Sequence, residues 1–180
     1  MAIKKSQLYS ALWDGCDELR GGMDASQYKD YVLVVLFVKY ISDKAKKDTD
    51  MLISVPEGCS FDDMVALKGK TNIGEEMNKI LAKLAEANGL TGVITNADFS
   101  DENKLGKGKD LVETVSKLIA VFQREELDFS NNRAADDDLI GDAYEYLMKN
   151  FASESGKSKG QFYTPAEVSR IMAKVIGIGK

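Results

Sequence analysis

Apolar residues return every three or four positions over most of this chain, and what lies between those stretches reads as helix caps and turns. Leu8, Leu12, Cys16 and Leu19, with Trp13 beside them, predict an amphipathic helix over residues 6–20. Gly21-Gly22 would end it, because glycine takes the left-handed conformation that closes helices. Asp24 with Gln27 three positions on forms a capping box. The helix it opens, about 25–47, is apolar almost all round between Tyr28 and Ile41, broken only by Lys29, Asp30 and Lys39. A helix with no polar face must be surrounded by protein, so this one is expected at the centre of the core. Val32–Val38 alone would also suit a buried strand; length and the cap decide for helix.

Pro56-Glu57-Gly58 is a turn, and Ser60 with Asp63 caps a short helix. Asn72 with Glu75 forms another box, opening a helix to about 87 that Asn88-Gly89 closes. Residues 90–108, rich in Gly, Asn, Asp and Lys, read as a loop with room for one short turn. Asp110 with Glu113 starts a helix to about Arg124, with Val112, Val115, Leu118, Ile119 and Phe122 facing inward. A connector at 128–132 leads to a helix from Asp136 to Phe151, whose inner side is Leu139, Ile140, Ala143, Tyr146, Leu147 and Phe151. Ser153–Gly160, small and polar, is the flexible linker. Thr164 as N-cap, Pro165 at the first helical position and Glu167 at the third predict a last helix to about Ile176. No repeat is visible, and the expected architecture is mainly α.

The composition agrees. Two prolines and 15 glycines in 180 residues leave long uninterrupted stretches, enough for one domain or one domain and the opening of a second. The start of the chain lacks the apolar run of a signal peptide. The longest apolar run, Tyr31–Val38, falls far short of the roughly 20 residues a membrane helix needs. Cys16 and Cys59 stand far apart and read as reduced thiols, so a cytoplasmic protein without a membrane partner is expected. The chain has no histidine, which removes Ser-His-Asp triads, His-assisted cysteine nucleophiles and histidine metal ligands from these residues.

Charge is unevenly spread. From Ser153 onward five bases (Lys157, Lys159, Arg170, Lys174, Lys180) face two acids (Glu154, Glu167), a surplus of three; against the chain's net −5 this leaves −8 on the preceding part. An acidic body is a poor phosphate binder over its whole surface, since duplex affinity comes largely from Lys and Arg replacing counterions. Any contact with DNA would be local, or another polypeptide would supply most of the grip.

Candidate motifs divide sharply. Gly156-Lys157-Ser158 resembles the tail of a phosphate-binding loop, but Phe151 stands where that motif needs its first glycine and no strand precedes it, so it reads as linker. Gly106-Lys107-Gly108-Lys109 is a charged loop. Asp136-Asp137-Asp138 complements a helix dipole, and with no EF-hand spacing elsewhere no metal site is expected. Gly160-Gln161-Phe162-Tyr163-Thr164-Pro165 carries two readings. One is an ordinary helix start with two packed aromatics. The other is a cofactor wall, in which the aromatics cover a flat heterocycle while a hydroxyl and free helix amides face an anionic group.

Three stretches resemble the modification (methyltransferase) subunits of type I restriction–modification systems. They are Leu12-Trp13-Asp14 through Leu19-Arg20-Gly21 and on to Met23-Asp24-Ala25-Ser26-Gln27-Tyr28-Lys29; Lys39-Tyr40-Ile41-Ser42-Asp43; and Leu139-Ile140-Gly141-Asp142-Ala143-Tyr144-Glu145-Tyr146-Leu147 with Gly160–Pro165. The resemblance implies a helical amino-terminal module, here 1–130, followed at 131–180 by the opening helices of a Rossmann-like methyltransferase domain, with a linker at about 153–160. It implies S-adenosylmethionine as methyl donor, N6 of adenine as acceptor in a base turned out of the duplex, and a cofactor wall at Gln161, Phe162, Tyr163, Thr164 and Pro165. It implies as partners DNA, a specificity subunit, a second modification subunit and a motor subunit. The glycine-rich loop and the Asn/Asp-Pro-Pro-aromatic tetrad of such enzymes have no counterpart here, Pro56 and Pro165 being far apart, so no residue is expected to be catalytic and the chain is expected to be a truncated, inactive part. The competing expectation is a non-enzymatic helical adaptor or dimerisation module.

Overall fold

The computed structural model describes residues 4–20, 23, 25–47, 52–130, 139–154 and 166–177, and among these it is helical without a strand. The helices are α1 (Lys5–Glu18), α2 (Ala25–Ala45), α3 (Phe61–Val65), α4 (Ile73–Asn88), α5 (Glu102–Leu105), α6 (Lys109–Phe122), a 3-10 turn (Glu125–Leu127), α7 (Leu139–Glu154) and α8 (Ala166–Val175). The mainly α expectation is met.

α2 is the axle. Val32, Val35, Leu36, Val38 and Ile41 are fully buried, and α1, α3, α6 and α7 pack around them. Each such side chain withdrawn from water contributes roughly 1.5–3 kcal/mol, the largest favourable term available to a chain without disulfides. α1, whose Leu8, Leu12 and Cys16 are fully buried, lies against α6, so close that a Cβ on Gly15 would stand 3.3 Å from the Leu118 methyl. α7 sits on both α1 and α2: Ala143 and Leu147 are fully buried, Tyr146 stacks on Tyr9 at 4.3 Å, and Lys5 pairs with Asp142 at 2.6 Å. The side chains of Leu139 and Phe151, expected on this inner side, lie outside the described residues.

Local capping chemistry explains some boundaries and not others. Ser60 and Asp63 form the expected box, the Asp63 amide donating to the Ser60 hydroxyl at 3.2 Å and the Ser60 amide to the Asp63 carboxylate at 2.9 Å. Gly89, at φ 65°, closes α4 as expected. The boxes at Asn72 and Asp110 do not form. Asn72 makes no side-chain cap, and its amide instead donates to Glu76 at 3.4 Å; α6 starts one residue before Asp110, on Gly108 at φ 53°. α1 stops at Glu18 with Leu19 as C-cap, ahead of Gly21-Gly22, which with Asp24 lie outside the described residues.

The 90–108 stretch carries α5, and its middle is tied down. The Asn78 side chain accepts from the Phe99 amide at 2.9 Å and donates to Asp98 at 2.6 Å and Ser100 at 3.1 Å. The Tyr31 hydroxyl donates to the Asp98 carbonyl at 3.0 Å, and its ring meets Phe99 edge-on at 5.2 Å. The loop lies so close to α4 that a Cβ on Gly74 would stand 2.4 Å from the Phe99 carbonyl oxygen.

Two predictions follow from this contact. Gly-to-Ala inside a helix ordinarily stabilises by about 0.5–1 kcal/mol. Gly74→Ala is expected to do the reverse, costing about 1–3 kcal/mol in urea unfolding because the loop must move off α4; a neutral or stabilised variant would contradict the close approach. Burial, then the carboxylates of Asp101, Asp98 and Asp30, push the Tyr31 phenol from its ordinary value of 10 up to about 12. The folded chain thus holds this proton more tightly than the unfolded one, so the contribution is complete below pH 10 and is lost as pH rises toward 12. Stability should fall over that window with a Tyr31 share of about 2 kcal/mol, and Tyr31→Phe should flatten the slope; an unchanged slope would refute it.

Candidate functional site

Gln161, Phe162, Tyr163, Thr164 and Pro165 lie outside the described residues, as does Asp136-Asp137-Asp138. The described backbone that follows the first group is helical, α8 covering Ala166–Val175; its expected start signals, Thr164 and Pro165, lie outside the described residues. Along α8, Val168, Ile171, Met172 and Val175 recur at three- and four-residue spacing and are exposed, Val175 by 80%. This is an apolar stripe of the kind that packs on a neighbouring layer.

The helical body offers little reactive chemistry. Among the described residues no group of three or more Cys, Asp and Glu is placed to hold a metal ion. Cys16 and Cys59 are buried free thiols, and burial pushes the Cys59 thiol up, away from the thiolate a nucleophile requires. Burial likewise raises the Tyr9 and Tyr146 phenols of the stacked pair. These groups serve packing. No helix among the described residues is long and apolar enough to cross a membrane.

Two features of the body escaped the sequence reading. One is an open apolar hollow of about 440 Å³ between α2, the turn after α4 and the start of α7, lined by Leu33, Phe37, Val93, Ile94, Ile140 and Tyr144. Its residues come from three separate elements, so only the surplus of apolar positions on α2 hinted at it. The other is a buried polar centre at the end of α2. Asp43, 2% exposed, pairs with Lys39 at 2.7 Å and accepts the Phe129 amide at 3.1 Å; neighbouring Ser42 accepts the Phe61 amide at 2.8 Å. A Lys and an Asp four residues apart in an otherwise apolar helix were the available signal. An acid on that helix can be buried only with a cation and donors around it.

Known proteins match this chain along most of its length. Residues 8–122 match the model of the HsdM N-terminal domain, and residues 135–179 match that of the N-6 DNA Methylase family. The chain is 26% identical to the type I restriction enzyme MpnII methylase subunit of Mycoplasma pneumoniae, with 94% of this chain and 39% of that protein aligned. It is 30% identical to the MjaVIII methylase subunit of Methanocaldococcus jannaschii, over 97% of this chain and 32% of the relative, and 27% identical to the EcoKI methylase subunit of Escherichia coli, over 91% and 29%. The crystal structure of the type I restriction-modification system methyltransferase subunit from Streptococcus thermophilus superposes with a TM-score of 0.69 at 26% identity, covering 98% of this chain and 45% of that one. The chain thus spans about a third of the length of these curated relatives. Since residues 8–122, the larger part of its length, match the HsdM amino-terminal domain, the chain belongs to the methylase subunits of type I restriction enzymes.

Proposed function

We propose that this chain is the amino-terminal part of a subunit that transfers a methyl group from S-adenosylmethionine to N6 of adenine in a specific DNA sequence, and that it is not catalytic by itself. One observation carries this reading: the match to the N-6 DNA Methylase model begins at residue 135, a short connection beyond residue 122, where the match to the HsdM N-terminal domain ends. The helical module would run over 1–130 and the methyltransferase domain would open at 131–180, with the linker expected at about 153–160, of which Ser153 and Glu154 belong to α7. The module serves subunit assembly and the embrace of DNA. Its partners would be a specificity subunit, a second modification subunit and the motor subunit, in the cytoplasm.

S-adenosylmethionine, when bound, supplies the methyl group. The residues of this chain that would hold it are Gln161, Phe162, Tyr163, Thr164 and Pro165. The two aromatics are suited to packing beside the cofactor, and Thr164 to standing near its methionine part as its hydroxyl and the free amides of the following helix present donors to an anionic group. The described helix from Ala166 onward, which follows those residues in the chain, supports this reading.

In the protein extended through the coding sequence beyond Lys180, Phe162→Ala and Thr164→Ala should each weaken S-adenosylmethionine binding about tenfold by calorimetry. Unchanged affinity in both would remove the pocket assignment. An extended frame that supplies neither a glycine-rich turn nor an Asn/Asp-Pro-Pro-aromatic run would instead leave the helical adaptor as the better reading. The acidic body makes a second prediction: the 180-residue chain alone should bind duplex DNA only weakly in gel shifts. Tight binding with a steep salt dependence would overturn the proposal that its DNA contact is local.

A further inference from the structure

The polar centre of α2 has no part in methyl transfer, yet burying a carboxylate costs several kcal/mol unless partners compensate it, and an apolar pair of similar size often stabilises a core as well. Its use must lie in what it holds in place. Asp43 turns its carboxylate toward two partners, the Lys39 ammonium at 2.7 Å and the buried Phe129 amide at 3.1 Å, with Lys46 at 3.8 Å on the outer side. The Lys39 ammonium also stands over the Phe61 ring at 5.1 Å, Ser42 holds the Phe61 amide, and Tyr40 meets the fully buried Phe129 ring edge-on at 5.5 Å. One short stretch of α2 thereby grips the chain at two distant points. The second point, Phe129, comes six residues before the segment matched to the N-6 DNA Methylase model and ten before α7, the helix with which the described part of that segment opens.

We infer that the Lys39–Asp43 pair is a positioning clasp: by holding the Phe129 backbone amide it anchors the chain ten residues ahead of α7, and so sets the seat of α7 on the helical body and of the methylase segment to which α7 belongs. Lys39, Ser42 and Asp43 are positioning residues, Ser42 and Asp43 buried and Lys39 only slightly exposed. The wider consequence rests on the proposed reading of 131–180 as methyltransferase. The clasp itself does not, and it is tested without cofactor.

The experiment is amide hydrogen exchange on the 180-residue chain. Lys39→Met/Asp43→Leu replaces the ion pair with apolar groups and removes the acceptor, whereas Lys39→Met/Asp43→Asn keeps an oxygen for the Phe129 amide. The first variant should exchange the Phe129 and α7 amides about tenfold or more faster, with α4 and α6 amides unchanged; the second should restore most of that protection. Unchanged α7 exchange in the first variant would overturn the inference, because α7 would then be held by Tyr9, Lys5 and its own buried face alone. So would a parallel loss in α4 and α6, which marks general destabilisation, or a failure of the Asn variant to rescue. Should the Met/Leu variant fail to fold, Asp43→Ala with Lys39 intact removes the acceptor alone, the Lys39 side chain keeping its access to water. A few-fold faster exchange confined to Phe129 and α7 supports the clasp, and none refutes it.

Discussion

A helix that is apolar on every side has one stable situation, inside other helices, and the rest of this fold follows from giving α2 that situation. α1, α3, α6 and α7 each present a buried row to it, and together they leave Val32, Val35, Leu36, Val38 and Ile41 without contact to water. The arrangement constrains polar groups as tightly as apolar ones. Any charge on α2 beyond its ends must be neutralised inside the core, and Lys39 and Asp43 do this for one another four residues apart, one helical turn, which brings their side chains together. The residual acceptor capacity of Asp43 then falls to a backbone amide, so a local necessity of helix burial becomes a long-range tie to Phe129.

Where the chain's own neighbours decide the structure, the sequence is readable. The period of Leu8, Leu12 and Cys16, the reciprocal bonds of Ser60 and Asp63, and the left-handed Gly89 are each determined within a few residues, and each is where the pattern puts it. The starts of α4 and α6 differ from the expected boxes, α4 because a distant segment presses on its first turn and α6 because two nearby glycines set the backbone. Gly74, in the first turn of α4, is pressed against the Phe99 carbonyl, and the helix begins without the Asn72 cap. α6 follows Gly106 and Gly108, both at positive φ, a conformation that places the helix start by backbone geometry and not by the Asp110 side chain.

The proposed cofactor site is a reading of a different kind. Its residues, Gln161–Pro165, stand out by chemistry and by resemblance, neither of which depends on knowing what they pack against. The apolar hollow beside Phe37, Val93 and Tyr144 was not legible, because no local pattern records that α2, the turn after α4 and the start of α7 converge. The ordered loop around Phe99 was missed for the same reason. Its composition reads as solvent-exposed coil, and only the side chains of Asn78 and Tyr31, more than twenty and sixty residues away, make it part of the core.

The division of the chain by family and its division by packing do not coincide, and the difference bears on how such a subunit transmits position. The methylase match begins at residue 135, yet α7, inside that match, is built into the helical body by Ala143, Leu147, the Tyr9–Tyr146 stack and the Lys5–Asp142 pair. α8, in the same match, turns an apolar stripe of Val168, Ile171, Met172 and Val175 to solvent. One helix of the segment thus has its apolar face satisfied by the amino-terminal module, and the next does not. A rigid module that owns the first helix of its neighbour can fix that neighbour's orientation without a broad interface, because moving α7 would expose its buried face and break its stacking and ion pair together. Under the proposed reading, in which an acidic body is poorly suited to gripping DNA over its whole surface, fixing orientation is the contribution that this packing supports most directly.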